Sequence, residues 1–248
     1  VEQGANGLTL RDSIIRGGDQ IFSVYFAGPE VAAGDETLDA FAAGALSRGN
    51  RLLRNTITSA FVGDSVSFSL QADGEVRDNT IATGMLALYM LQNVVCAGNE
   101  ITDSPTNGIF ISLPSRDLVV TDNTVSNAHY SAIVIKPQVE HPAANRELDS
   151  VGVVLEDNRL TTRFFGIEID GTRGDPTQGR LIGTTIRGNE IEIDDFAGIY
   201  MLRLDAPVLR ANTITFTAAD TSRRGVDGRL DIIDMVSSAV YLDVEVTG

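Results

Sequence analysis

The sequence predicts an all-β fold, a parallel β-helix of about eight to nine coils with an internal ladder of asparagines. Two observations predict it. A short phrase, apolar residue, turn, asparagine, apolar residue, returns along most of the 248-residue chain. Between its returns lie short β-branched strands and Gly/Asn turns, with no helical periodicity of apolar residues.

The first element is the asparagine column, which holds Ser13, Asn55, Asn79, Asn99, Asn123, Asn158, Asn189 and Asn212. Three residues before each stand Leu10, Leu52, Val76, Cys96, Val120, Leu155, Ile186 and Leu209. Two residues after each stand Ile15, Ile57, Ile81, Ile101, Val125, Leu160, Ile191 and Ile214. All of these flanking residues are apolar. From Asn55 onward the intervals are 24, 20, 24, 35, 31 and 23 residues. The short intervals are the length of one solenoid coil, and the long ones are coils carrying loops. Asparagine suits such a column because it tolerates a left-handed turn, and because stacked amides can bond to the coils above and below.

The second element is a strand that follows each bend: "GIFIS" (108–112), "AIVIK" (132–136), "GIEID" (166–170), "GIYML" (198–202) and "AVYLD" (239–243). Alternation sends Ile109, Ile133, Ile167 and Ile199 inward. The next residues then face outward as one row, Tyr89, Phe110, Val134, Glu168, Tyr200 and Tyr241. A second outward row holds Ser112, Lys136, Asp170, Leu202 and Asp243. Insertions at 27–49, 137–150 and 171–180 each follow such a strand and should form one wall beside it. The first contains "ETLDAFAAGAL", long enough for a short helix. The segment 217–234 interrupts the repeat and is a candidate cover for one end. The chain reads as one domain over 1–248, either complete or a fragment of a longer rod.

Composition narrows the partners. With 34 acidic and 19 basic residues the net charge is −15. That charge repels nucleic acid and anionic membranes. No apolar run is long enough to span a bilayer. One cysteine, Cys96, allows neither an internal disulfide nor a cysteine metal cage. Homo-oligomerisation or flanking domains would cover exposed solenoid ends.

The pattern resembles the right-handed parallel β-helix repeats of the pectin-lyase-like superfamily, through phrases such as "VVTDNTV" (119–125) and "LRANTIT" (209–215). The resemblance covers roughly Leu8 to Val244. It implies a right-handed coil, a polysaccharide partner and an extracellular or cell-surface location. That superfamily contains lyases, hydrolases, epimerases, tailspikes and noncatalytic surface proteins, so the fold leaves the activity open. The chain lacks the signature motifs of polygalacturonase-like hydrolases, pectate lyases and mannuronan epimerases.

In similar solenoids ligands lie across the outer face of the sheet built from the Gly-Ile strands. The bends "SNAHY" (126–130) and "TTRFF" (161–165) would supply the wall opposite the insertions. The candidate catalytic residues are therefore Tyr130, His129, Lys136, Glu168 and Asp170. Arg163, Arg173, Tyr200, Phe110, Tyr89 and Tyr241 are the candidate substrate contacts. A lyase or epimerase would use Tyr130, His129 or Lys136 as acid and base, with Arg163 or Arg173 on a uronate carboxylate. A hydrolase would use a carboxylate pair, and Glu168 and Asp170 share a strand face at about 7 Å. A Lys136–Asp170 surface ion pair is the plain alternative for those two residues. The alternative to any enzyme is a noncatalytic glycan-binding, adhesion or tailspike-like solenoid. A neutral or weakly acidic glycan suits the charge best. No cofactor or resident metal is expected; the one ion the pattern admits is Ca²⁺, through Asp oxygens of "DGTRGDP" (170–176) or bridging to an acidic glycan. That loop lacks the ligand spacing of a recognised calcium loop, and a solvated turn is its simpler account.

Overall fold

The computed structural model describes residues 4–17, 22–29, 40–59, 64–137, 148–171, 180–202, 204–217, 224–227 and 241–247. Its strands pair in parallel throughout and coil into a β-helix. Eight strands form the front sheet: Val24–Phe26, Asp64–Ser69, Met85–Tyr89, Ile109–Leu113, Ser131–Pro137, Phe165–Asp170, Ala197–Leu202 and Arg224–Asp227. The other 21 strands form one hydrogen-bonded sheet that turns at the asparagine column. Its rear face precedes the column and its lateral face follows it.

The apolar columns are the core. Leu52, Val76, Cys96, Val120, Leu155, Ile186 and Leu209 are fully buried on the rear side of the turn. Ile57, Ile81, Ile101, Val125, Leu160, Ile191 and Ile214 are buried on the lateral side. Ile109, Ile133, Ile167 and Ile199 stand in register on the front sheet and close the third side. Glycine before such an isoleucine has a packing reason. A Cβ on Gly166 would lie 2.3 Å from Ile191 Cγ2, so only a residue without a side chain lets the lateral layer approach.

The asparagines form the predicted ladder. Asn123 shows one rung in full. Its backbone N–H donates to Asn158 Oδ1 at 3.0 Å, and its Nδ2 donates to the same oxygen at 3.0 Å and to the Cys96 carbonyl at 3.1 Å. Asn123 Oδ1 in turn accepts from the N–H and Nδ2 of Asn99. The same pattern runs from Ser13, whose N–H reaches Asn55 Oδ1, to Asn212. Val244 is the next residue in register and carries no amide, so the ladder stops there.

The left-handed turn belongs to a different residue from the one expected. The residue before each ladder position takes positive φ: Asp12, Arg54, Asp78, Gly98, Asp122, Asp157, Gly188 and Ala211. Asparagine keeps an ordinary backbone and spends its side chain on the ladder. The turn itself selects mainly Asp and Gly, which tolerate the left-handed region. Gly98 also lacks room, because a Cβ there would sit 2.5 Å from Asp78 Oδ1 in the coil before.

The insertions are partly described. Residues 40–42 are helical, within the predicted helix. Phe41, Leu46, Leu70 and Met90 pack there into a second apolar cluster, with the Arg116 guanidinium 5.3 Å over the Phe41 ring. Where the loops 137–150 and 171–180 return, Asp149 and Arg180 clamp the rear face, at 3.1 Å between Oδ2 and Nη2. Burial raises the Asp149 pKa, but the backbone N–H and guanidinium of Arg180 outweigh it and hold the carboxyl below its usual range. Arg224–Asp227 extends the front sheet beside Ala197–Leu202, so part of 217–234 continues the coil instead of interrupting it.

Two buried polar groups give tests of this account. Asn123→Ala takes from the Asn99 backbone N–H its acceptor and from the Cys96 carbonyl its side-chain donor inside the core, and should cost about 3 kcal/mol in denaturant unfolding. Asn212→Ala, at the end of the ladder, should cost less. Thr184 is buried with no partner for its Oγ1. Thr184→Val should therefore raise stability by about 1 kcal/mol, seen as a higher midpoint in the same titration.

Candidate functional site

Three successive bends join the lateral strands Thr124–Ala128, Arg159–Thr162 and Glu190–Ile193 to the front strands. The bends are locked to one another by backbone bonds. Phe165 N–H donates to the Tyr130 carbonyl at 3.0 Å, Asp195 N–H to Arg163 at 2.8 Å and Ala197 N–H to Phe164 at 3.1 Å. Coil stacking thus places His129–Tyr130, Arg163–Phe164 and Asp194–Phe196 side by side.

Their aromatic rings form a continuous cluster. Tyr130 lies 5.5 Å from Phe164 and 6.1 Å from Phe165 between ring centroids. Phe165 lies 5.0 Å from Phe196 and 5.5 Å from Tyr200. These are ordinary aromatic-pair distances. Yet Tyr130 and Phe196 remain 50% and 48% exposed, unusual for large rings on a polar corner. The His129 ring meets Phe164 edge-on at 6.1 Å, and the Arg163 guanidinium lies 5.0 Å above the same ring. Among the described residues Arg163 has no ion pair to a carboxylate.

Beside the rings is a cleft of about 230 Å³, lined by His129, Thr161, Arg163, Glu192 and Asp194 among others. Thr217 Oγ1 donates to Asp194 and fixes one wall. Of the expected residues, His129, Tyr130 and Arg163 are thus brought together. Phe164, Phe165, Phe196, Glu192 and Asp194 complete the site and were not singled out from sequence. The signal for Phe164 and Phe165 was present in "TTRFF", and Phe196 follows the same bend one coil on.

The front sheet differs from the expected open ribbon. Val134 is fully buried and Glu168 is 9% exposed, while Phe110 and Tyr200 are half-buried. Glu168 holds two partners. Ser131 Oγ donates to its Oε2 at 2.7 Å, and Lys136 Nζ lies 2.8 Å from its Oε1. Lys136 therefore pairs with Glu168, diagonally across the sheet, and both Glu168 oxygens are engaged. Asp170 is half-buried opposite Leu202 and has a partner of its own. A carboxylate pair of Glu168 and Asp170 free to flank a glycosidic bond is not what these contacts form.

Two candidate contacts lie in other places than expected. Tyr89 occupies the second outward row, in register with Ser112, while Ala87 stands beside Phe110. The cause is that Leu86 and Leu88 both face the core. Tyr89 still packs on Phe110, at 5.5 Å. Tyr241 is not on the front sheet; it opens a rear strand and pairs with Val208. Arg173 and most of "DGTRGDP" fall outside the described residues. Among the described residues no group of three or more His, Cys, Asp or Glu is placed to hold a metal ion. Cys96 is buried among the ladder amides, and burial pushes its thiol up to about 12.

No helix of the described residues is long and apolar enough to cross a membrane. No curated protein sequence matches the chain significantly. Among solved structures it is similar to a mutant of the periplasmic alginate epimerase AlgG, at 14% identity and TM-score 0.52, over 97% of this chain and 72% of the other. Another structure of that epimerase aligns at 14% identity and TM-score 0.45, over 82% of this chain, which spans 60% of the epimerase. A tailspike protein of E. coli bacteriophage HK620 aligns at 11% identity and TM-score 0.48, over 89% of this chain and 49% of the tailspike. At such identities the likeness is one of fold. Residues 38–173, more than half of the chain, match the family profile described as the right handed beta helix region. Together with the parallel coils and the asparagine ladder, that match makes the chain a member of the right-handed β-helix family.

Proposed function

We propose that this protein binds a polysaccharide at the three-coil bend, outside the cell or at its surface, with the aromatic cluster as the stacking platform. The observation that carries the reading is the pair of half-exposed rings, Tyr130 and Phe196, backed by Phe165 and set beside a polar cleft. Sugar rings present an apolar face to an aromatic ring and hydroxyls to surrounding donors and acceptors. A rigid ring pays little conformational entropy on binding, and a preformed concave site needs little rearrangement. Arg163, held over Phe164 and without a carboxylate partner among the described residues, supplies a cationic donor at the rim.

A catalytic reading is favoured by one further observation: His129, Tyr130 and Arg163 share this corner. Imidazole or phenol would move a proton at the carbon beside a uronate carboxylate while Arg163 holds that carboxylate. This arrangement supports lyase or epimerase chemistry, whereas the occupied oxygens of Glu168 argue against the hydrolytic pair.

Affinity electrophoresis against alginate, polygalacturonate, xylan and galactomannan tests the binding reading. Tyr130→Ala and Phe196→Ala should each weaken binding of the preferred polymer about tenfold, or about 1.4 kcal/mol. Absence of binding to every polymer, or binding indifferent to both changes, would remove the platform. Tyr130→Phe separates the catalytic reading, since it keeps the ring and deletes the phenol. Loss of new unsaturated ends or altered uronate configuration with binding retained would assign the phenol a chemical role.

A further inference from the structure

The bend cleft does not end at the bend. A second cleft, of about 300 Å³, lies on the outer lateral face and is lined by Arg159, Thr161, Glu190, Glu192, Thr213 and Thr215 with the backbone between them. Thr161 and Glu192 line both. Strand alternation explains the surface. Leu160, Ile191 and Ile214 point into the core, so their neighbours Thr161, Glu192 and Thr215 stand outward in register on successive coils. Arg159, Glu190 and Thr213 form the parallel row beside them. Two registered rows of hydroxyl, carboxylate and guanidinium groups thus continue directly from the wall of the proposed glycan site.

We infer that the lateral cleft is a second subsite for the same glycan chain. The chain would leave the aromatic platform, cross the bend beside Arg163 and continue over Thr161 and Glu192 toward Thr213. This rests on the glycan-binding reading above and adds its path: the bound chain leaves the bend for the lateral face and steps obliquely over successive coils there, and does not follow the front sheet. Burial of Val134 and near-burial of Glu168 on that sheet agree with a path that avoids it.

Charge selects the class of sugar. Arg159 is held by Glu190, at 2.9 Å between Nε and Oε2, and among the described residues Glu192 and Asp194 have no ion pair along the path. A polyanion would meet like charge there, within a protein that is already at −15. Neutral sugars meet donors and acceptors matched to hydroxyl groups. The lateral subsite therefore takes uncharged, hydroxyl-rich units, and any single acidic unit would sit at Arg163.

The test is chain-length dependence. Calorimetric titration compares tetramers and decamers derived from xylan and galactomannan on the parent chain and on an Arg159→Gln, Thr213→Val variant. Both positions lie on the outer surface, and both replacements keep strand geometry, which circular dichroism checks. The parent should bind decamers more tightly than tetramers. The variant should lose about fivefold for decamers with tetramer affinity unchanged. Equal affinity of the two lengths for the parent, or a variant that affects both lengths alike or neither, overturns the lateral subsite while leaving the platform intact. If neither neutral oligomer binds the parent, the lateral subsite falls; if alginate and polygalacturonate are also silent, the glycan reading falls with it.

Discussion

The asparagine ladder holds the coils from Ser13 to Asn212 in register. A solenoid turn narrow enough to close a triangular coil leaves backbone amides and carbonyls facing inward, where water cannot reach them. An unpaired group there costs about as much as several good contacts contribute. The ladder answers this with one residue type. Each Oδ1 accepts from the next-lower coil, and below Asn212 each Nδ2 reaches both the higher amide oxygen and a lower carbonyl. Because each rung bonds to the rungs on either side, a one-residue slip in any coil would break several bonds at once. Parallel register across the whole rod follows from that constraint.

Fixed register turns each coil position into a row. Inside, the rows are the stacked isoleucines and valines of the core. Outside, the rows put chemically different residues at a spacing of about 4.8 Å. The bend between the lateral and front sheets is where rows of large side chains meet least covering structure. A flat sheet face can be covered by neighbouring side chains, as Val134 is, whereas a convex corner leaves Tyr130 and Phe196 projecting. Aromatic rings that pack on one another along three coils gain rigidity without losing their outer faces.

The electrostatics of the same rows are local. Among the described residues several arginines are matched to a carboxylate on an adjacent coil, as Arg159 is to Glu190, Arg187 to Glu156 and Arg54 to Asp12. These exposed pairs contribute little to stability. Arg163 and Arg116 differ from these: each is stacked on a ring and, among the described residues, has no ion pair. Lys136 and Glu168 are the contrasting case: a sheltered pair with Ser131 attached, which joins two front strands.

Period and composition alone determined the architecture: the apolar columns, the asparagine ladder and the inward isoleucines were legible because burial and alternation act within a few residues. His129, Tyr130 and Arg163 were legible as bend residues for the same reason. Only the tertiary structure decided that Asp and Gly, not Asn, take the left-handed turn, since both sets recur with the same period. It also decided that Tyr89 sits in the second row and that Tyr241 belongs to the rear face. Those depend on which residue of a short apolar run pairs with which coil, a matter of contacts between segments some 20 to 30 residues apart. The partner of Lys136 and the gathering of Phe164, Phe165 and Phe196 into one platform are likewise properties of neighbouring coils. No single repeat contains them, because each repeat contributes one ring or one charge and stacking makes the surface.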